Sequence, residues 1–381
     1  MRTGEGVDPR IQAAIQNWAP RMIAQGVDYN DFVRTTSAVE RWEDWLDAWV
    51  RTGDVHAHLA QEAESRGRRV TAGEAWVRAA LCYHFAKFVW TLDEVRYRET
   101  TLRAVEALRS AHRHLDPTAR RLEVPFEGAM LFANLRRPVG VLRPPLVVLV
   151  PGLDSTKEEF FHWENTFLAR GMATVSVDGP GQGETGFHTH IRADYQVAVR
   201  ALLDRLEEDA EVDTERVGAV GVSLGAYYAP RAAAFEPRIR AVAAIGGPYN
   251  FGAAWERLPN LTRETFRYHA GAQDEEEARR RALELDLGPV LPQLRQPLLV
   301  VFGQQDLLFP WQDAERVAPG SSPRRVRPVP GGQPRVQQHP VQVPSSRGGL
   351  DGGTAKLTKE GLGWQRGRWW SRTRPWRRPR R

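Results

Sequence analysis

A mostly parallel α/β sheet preceded by an all-helical block is the fold class that this 381-residue sequence predicts. Three observations predict it. Apolar residues up to about residue 116 recur at three- and four-residue spacing. Five short, continuous apolar runs follow, separated by helical stretches. A Gly-x-Ser-x-Gly motif stands between one of those runs and a helix.

The helical block comes first. Ile11, Ala14, Ile15 and Trp18 share one face, as do Trp42, Trp45, Leu46 and Trp49, and the stretch from Ala75 to Trp90 repeats the pattern with Trp76, Ala79, Ala80, Tyr83, Phe85 and Phe88. Tryptophans at that spacing read as helix–helix packing. After Leu115-Asp-Pro-Thr118, the segments 121–126 and 129–135 read as two strands around a Glu127-Gly128 turn. The continuous runs are Pro145–Pro151, Ala173–Val177, Val217–Val222, Ala241–Ile245 and Pro297–Phe302. Such runs suit strands buried on both faces of a parallel sheet. Residues 251–292 are charged and helical and interrupt the alternation, so they are expected to roof the site. The expected organisation is a helical domain over 1–117, a sheet domain over 118–332 with a helical insertion at 251–292, and a tail over 333–381.

Composition narrows the class further. Apolar residues make up 41% of the chain, and no run approaches the roughly 18 needed to span a bilayer. Met1–Arg10 lacks the apolar core of a secretory signal, so a cytoplasmic protein without membrane association is expected. The single cysteine, Cys82, permits no internal disulfide and reads as a small buried hydrophobe. The net charge of +6 is unevenly placed. The tail from Gln333 holds twelve Lys/Arg against two Asp/Glu, a net of +10, so the rest of the chain carries −4.

Gly221-Val-Ser-Leu-Gly225 follows a buried strand and precedes a helix. Glycines flank the serine there because a sharp strand-to-helix turn leaves no room for side chains. Ser223 is therefore the candidate nucleophile of an α/β-hydrolase fold. A serine hydroxyl needs a base, and the base an orienting acid, supplied in this fold in the order Ser, Asp or Glu, His. Asp306, on the turn after the strand ending at Phe302-Gly303, is the candidate acid. The backbone N–H groups of Leu224 and of Leu153, in the loop after Val150, are the candidate oxyanion donors. The glycines of Asp178–Gly183 lack the spacing of a dinucleotide-binding loop and read as a tight loop beside the site.

Gly152-Leu-Asp-Ser-Thr-Lys-Glu-Glu159, Asp178-Gly-Pro-Gly-Gln-Gly-Glu184 and Gly221-Val-Ser-Leu-Gly-Ala-Tyr-Tyr228, with Gly26-Val-Asp-Tyr29 and Arg41-Trp-Glu-Asp-Trp45, resemble the 2,6-dihydroxypseudooxynicotine hydrolase group of α/β-hydrolases. The resemblance runs from about residue 9 to about residue 332. It implies a helical N-terminal domain over the sheet, a homodimer, and a Ser-Asp-His triad with neither metal nor cofactor. The group includes hydrolases of a carbon–carbon bond beside a carbonyl, as well as esterases. The carbon–carbon hydrolase uses an extra acid after the sixth strand, for which Glu256 is the residue available here. The apolar and aromatic helical roof suits a small, hydrophobic or aromatic carbonyl substrate.

The resemblance also implies a histidine in a Gly-Asn-His segment after the last strand. Here Arg325–Pro330 leads into Gly331-Gly332-Gln333-Pro334, and the nearest histidine is His339. His162, His188, His190 and His269 read as solvated or packing residues. Dropping one base near Gly332, with codons freely chosen, turns Gln333–Val343 into Asn-His-Val-Cys-Asn-Asn-Ile-Pro-Tyr-Lys-Tyr and leads to a stop near Leu357-Thr358. The tail is thus expected to be disordered or out of frame. The function expected is a serine hydrolase of a ketone-like or ester substrate, impaired for want of its base. The alternatives are a catalytically inactive binding protein, or a nucleic-acid arm formed by Trp364–Trp370 and Arg372–Arg381, whose arginines and aromatics could meet phosphates and bases.

Overall fold

The structure is a computed structural model that describes residues 8–318 and, for their backbone, 324–329. The readings of the tail, of Gly331–Pro334 and of His339 lie outside the described residues.

Five helices open the chain: α1 (Pro9–Ala24), α2 (Tyr29–Ser37), α3 (Trp45–Ser65), α4 (Arg69–Lys87) and α5 (Glu94–Leu115). Helix α1 begins where the Asp8 carboxylate accepts the Arg10 N–H, with proline in the first turn, where its missing N–H costs nothing. Its buried stripe is Ile11, Ala14, Trp18 and Met22, and Arg21 lies buried beside it. Trp42, Trp45 and Trp49 pack in sequence at tilted angles, with ring centroids 5.1 and 5.9 Å apart. Their indole bodies fill the core of the block. That core also takes in Phe161 and Leu261 from later in the chain, so the helices bury apolar surface against the sheet domain.

Eight strands form one sheet: β1 (Arg120–Phe126), β2 (Ala129–Arg136), β3 (Pro145–Val150), β4 (Ala173–Asp178), β5 (Asp213–Val222), β6 (Ile239–Ile245), β7 (Leu298–Gly303) and β8 (Arg324–Val329). Their order is β1-β2-β4-β3-β5-β6-β7-β8. β1 and β2 are a hairpin, and β2 runs antiparallel to β4; every other pairing is parallel. β4 is buried along its whole length and β3 beyond its first residue, as continuous apolar runs require of central parallel strands. Helices α6 (Phe161–Leu168), α7 (Gln196–Glu207), α8 (Gly225–Phe235) and α11 (Trp311–Val317) alternate with the strands. Between β6 and β7 stand a 3₁₀ turn at Gly252–Arg257 and helices α9 (Asn260–Ala270) and α10 (Glu275–Leu283). Phe251 stacks on Phe266 at 5.0 Å, and Trp255 meets Phe266 edge-on at 5.7 Å, which ties this segment together.

Candidate active site

β5 ends at Val222 and α8 begins at Gly225, which leaves two residues for the turn. Ser223 takes φ +55°, a left-handed value that a side-chain-bearing residue holds only under constraint. Its N–H donates to the Ile245 carbonyl at 2.9 Å and pins the turn to β6. Both flanking glycines are forced by contact. A Cβ at Gly221 would stand 1.8 Å from the Gly225 carbonyl oxygen, and one at Gly225 would stand 2.2 Å from the Val150 oxygen.

Asp306 follows β7. Its Oδ1 accepts the N–H groups of Leu308 and Phe309, both at 2.9 Å, which fixes the carboxylate. Among the described residues, Oδ2 has no hydrogen-bond donor. Burial raises the carboxyl above its ordinary range, against the pull of the Phe309 and Leu308 N–H groups and of Arg257. One cavity is shared by Ser223, Asp306 and Leu153, and Trp18, Arg21 and Asp154 line it too. The N–H groups of Leu153 and Leu224 donate to no partner among the described residues. They come from neighbouring loops: a Cβ on Gly152 would lie 3.5 Å from the Leu224 nitrogen.

Glu256 is not brought to this cavity. It sits on the 3₁₀ turn with 72% of its side chain exposed, 3.6 Å from Arg279. Since the turn buries Ala254 and Trp255, the Glu256 side chain is left to face water. Nor does any histidine among the described residues line the cavity. His188 and His190 are exposed, whereas His84, His112 and His269 are buried.

Residue spacing gave no notice of the groups that the helical block delivers. Trp18 packs edge-on against Phe88 at 5.3 Å and also borders the cavity, so packing is not its sole contact. Arg21 reaches the loop after β3: Nε and Nη2 donate to Glu159 at 2.6 Å each, and Nη1 donates to Asp154 at 2.8 Å. Burial disfavours the guanidinium charge, but Glu159 and Asp154 outweigh it and hold its pKa above the usual value. Glu159 is likewise penalised by burial, yet it is held well below the carboxylate range by Arg21. A charged residue on the apolar stripe of α1 was the signal available. Glu158, Asp178 and Glu184 lie close enough to share a cation. The Lys157 ammonium stands among them at 2.7–2.8 Å.

A strained serine at the carboxyl edge of a mostly parallel sheet, between a strand and a helix, defines a class, and the chain belongs to the α/β-hydrolase family. Residues 147–378 match the description "Alpha/beta hydrolase family", and residues 1–257 match "Esterase FrsA-like". Among individual proteins, the chain is 36% identical to the 2,6-dihydropseudooxynicotine hydrolase of Paenarthrobacter nicotinovorans, over 76% of this chain and 78% of that one. The crystal structure of 2,6-dihydroxy-pseudo-oxynicotine hydrolase superposes with a TM-score of 0.76 at 32% identity, covering 84% of this chain and 91% of that one. A 20-hydroxy-prefusarin hydrolase of Gibberella moniliformis is 30% identical over 62% of this chain and 60% of its own length. No helix among the described residues is long and apolar enough to cross a membrane.

Proposed function

We propose that the protein is a serine hydrolase of small carbonyl compounds, cleaving either an ester or a carbon–carbon bond beside a ketone. Ser223 attacks the carbonyl carbon. The developing oxyanion is received by the N–H groups of Leu153 and Leu224. Asp306 orients and stabilises the histidine that takes the serine proton and returns it to the leaving group. The observation that carries this reading is the strained φ of +55° at Ser223, on a turn facing the same cavity as the fixed carboxylate of Asp306. Trp18, Phe251 and Phe309 on the cavity wall favour an apolar or aromatic substrate. A cytoplasmic homodimer, with the block before residue 117 and the 251–292 segment roofing the sheet, belongs to the same reading.

On this reading the expected position of the base holds no histidine. The position after β8 reads Gly331-Gly332-Gln333, and no described histidine lines the cavity. Restoration of the frame near Gly332 supplies the base. A fluorophosphonate probe tests both parts. Ser223 should react, Ser223→Ala should not, and the frame-restored chain should react at least about a hundredfold faster, since loss of one triad member costs orders of magnitude. Equal rates for the two chains would refute the missing base. Labelling that persists in Ser223→Ala would refute the nucleophile.

A further inference from the structure

The loop after β4 is hydrogen-bonded to the loop after β3. From it Gln182, 1% exposed, extends its amide under the loop that carries Leu153. Its Nε2 donates to the Pro151 carbonyl at 2.9 Å and to the Gly152 carbonyl at 2.8 Å. Its Oε1 accepts the Gly179 N–H and the Tyr195 hydroxyl, each at 2.9 Å. The Gly179 N–H can only donate and the two carbonyls can only accept, so the network admits one orientation of the amide. Tyr195 is itself stacked on Tyr228 of α8, with ring centroids 4.1 Å apart.

The Gly152 carbonyl and the Leu153 N–H belong to the same peptide unit. That unit is planar and trans, so its N–H points opposite its C=O. A group that holds the carbonyl from below therefore aims the N–H. We infer that Gln182 is a positioning residue for the oxyanion hole, setting the direction of the Leu153 N–H by clamping the Gly152 carbonyl. The inference rests on Leu153 being an oxyanion donor, as proposed above. Because the clamp is in place before any charge develops, the donor need not reorganise during the reaction. The glycine-rich turn serves the same clamp. Gly179 leaves room for Tyr195, whose ring a Cβ there would meet at 2.3 Å.

Two substitutions separate this role from simple support of the loop. Gln182→Met removes all four hydrogen bonds. Gln182→Glu keeps an oxygen for Gly179 and Tyr195 but turns a carboxylate oxygen toward two carbonyls. In the full chain, fluorophosphonate labelling of Ser223 should slow about tenfold or more in both, with Gln182→Glu at least as slow as Gln182→Met, since an oxyanion donor is worth about 10²–10³ in rate. Thermal unfolding is followed in parallel. If both variants lose their cooperative transition, Tyr195→Phe reads the effect instead, with an expected fall of about two- to fivefold by the same rule. Wild-type labelling in Gln182→Glu, or in Tyr195→Phe where that variant decides, overturns the inference and leaves the nucleophile reading intact. Absence of Ser223-dependent labelling in the unsubstituted chain overturns both.

Discussion

Gly152 and Ser223 touch across two loops: a Cβ added at residue 152 would stand 3.0 Å from the Ser223 Cβ and 3.0 Å from the Val222 carbonyl oxygen. The second neighbour is backbone of the strained turn and has little freedom to withdraw. Gly152→Ala should therefore push the loop after β3 away from Ser223. We expect stability to fall by about 1–3 kcal/mol, as for other overpacked sites, and Ser223 labelling to slow about ten- to a hundredfold. Urea unfolding and probe kinetics read the two effects separately. An alanine variant that labels like the parent contradicts the placement of this loop.

Asp306→Asn distinguishes a working triad from an incomplete one. In the frame-restored chain it should lower kcat about 10³–10⁴-fold, because the imidazole loses its orienting charge. In the present chain, where no described histidine lines the cavity, the same change should hardly alter labelling. Stability should hold or rise at neutral pH. The folded carboxyl pKa is raised, so ionisation works against folding once the pH exceeds it, and an amide escapes that penalty while still accepting the Leu308 and Phe309 N–H groups. A clear drop in melting temperature at pH 7 would count against this account.

Arg21→Met leaves the buried Glu159 and the half-buried Asp154 without their guanidinium. The loss should be about 3–5 kcal/mol, the usual cost of stranding a buried charge. The double variant Arg21→Met/Glu159→Gln should recover part of it, because the more deeply buried carboxylate is gone. Equal urea midpoints for the single and double variants would show that the pair is not coupled.

His269 supplies a pH signature. It is buried beside Tyr97 and Tyr268, and burial together with Lys87 lowers its pKa to about 3, against the pull of a hydrogen bond that the imidazole donates to the Gly181 backbone. The folded value lies below that of the unfolded chain, so the unfolded state binds more protons below about pH 6.5 and stability falls as the pH drops toward the folded value. Between pH 7 and pH 5 the parent should lose about 2 kcal/mol more than His269→Gln. Parallel urea curves for the two proteins at both pH values would rule this out.

Glu256→Gln should leave both melting temperature and activity unchanged, since the side chain is 72% exposed and its contact with Arg279 is long. A fall in kcat of about tenfold or more, over 1 kcal/mol in barrier, would return Glu256 to the chemistry.

The order of helices and strands was legible because it rests on local chemistry. A buried parallel strand must be a continuous apolar run, and a helix against a core must repeat its apolar face at three and four residues. The strained turn at Ser223 was legible for the same reason, since Gly221 and Gly225 are demanded by neighbours within a few residues or on the adjoining strand. That Asp306 stands on a turn after a late strand could be read the same way. Arg21, Trp18 and Gln182 could not. Their partners lie about 30 to 140 positions away, and only the packing of α1 and of the β4 loop against β3 brings them together. Glu256 shows the converse: proximity in sequence to the site says nothing about which way a side chain turns. Spacing picked out the candidate groups. The tertiary structure decided which of them share a cavity, because burial and hydrogen bonding across elements are set by contacts that no short window of sequence contains.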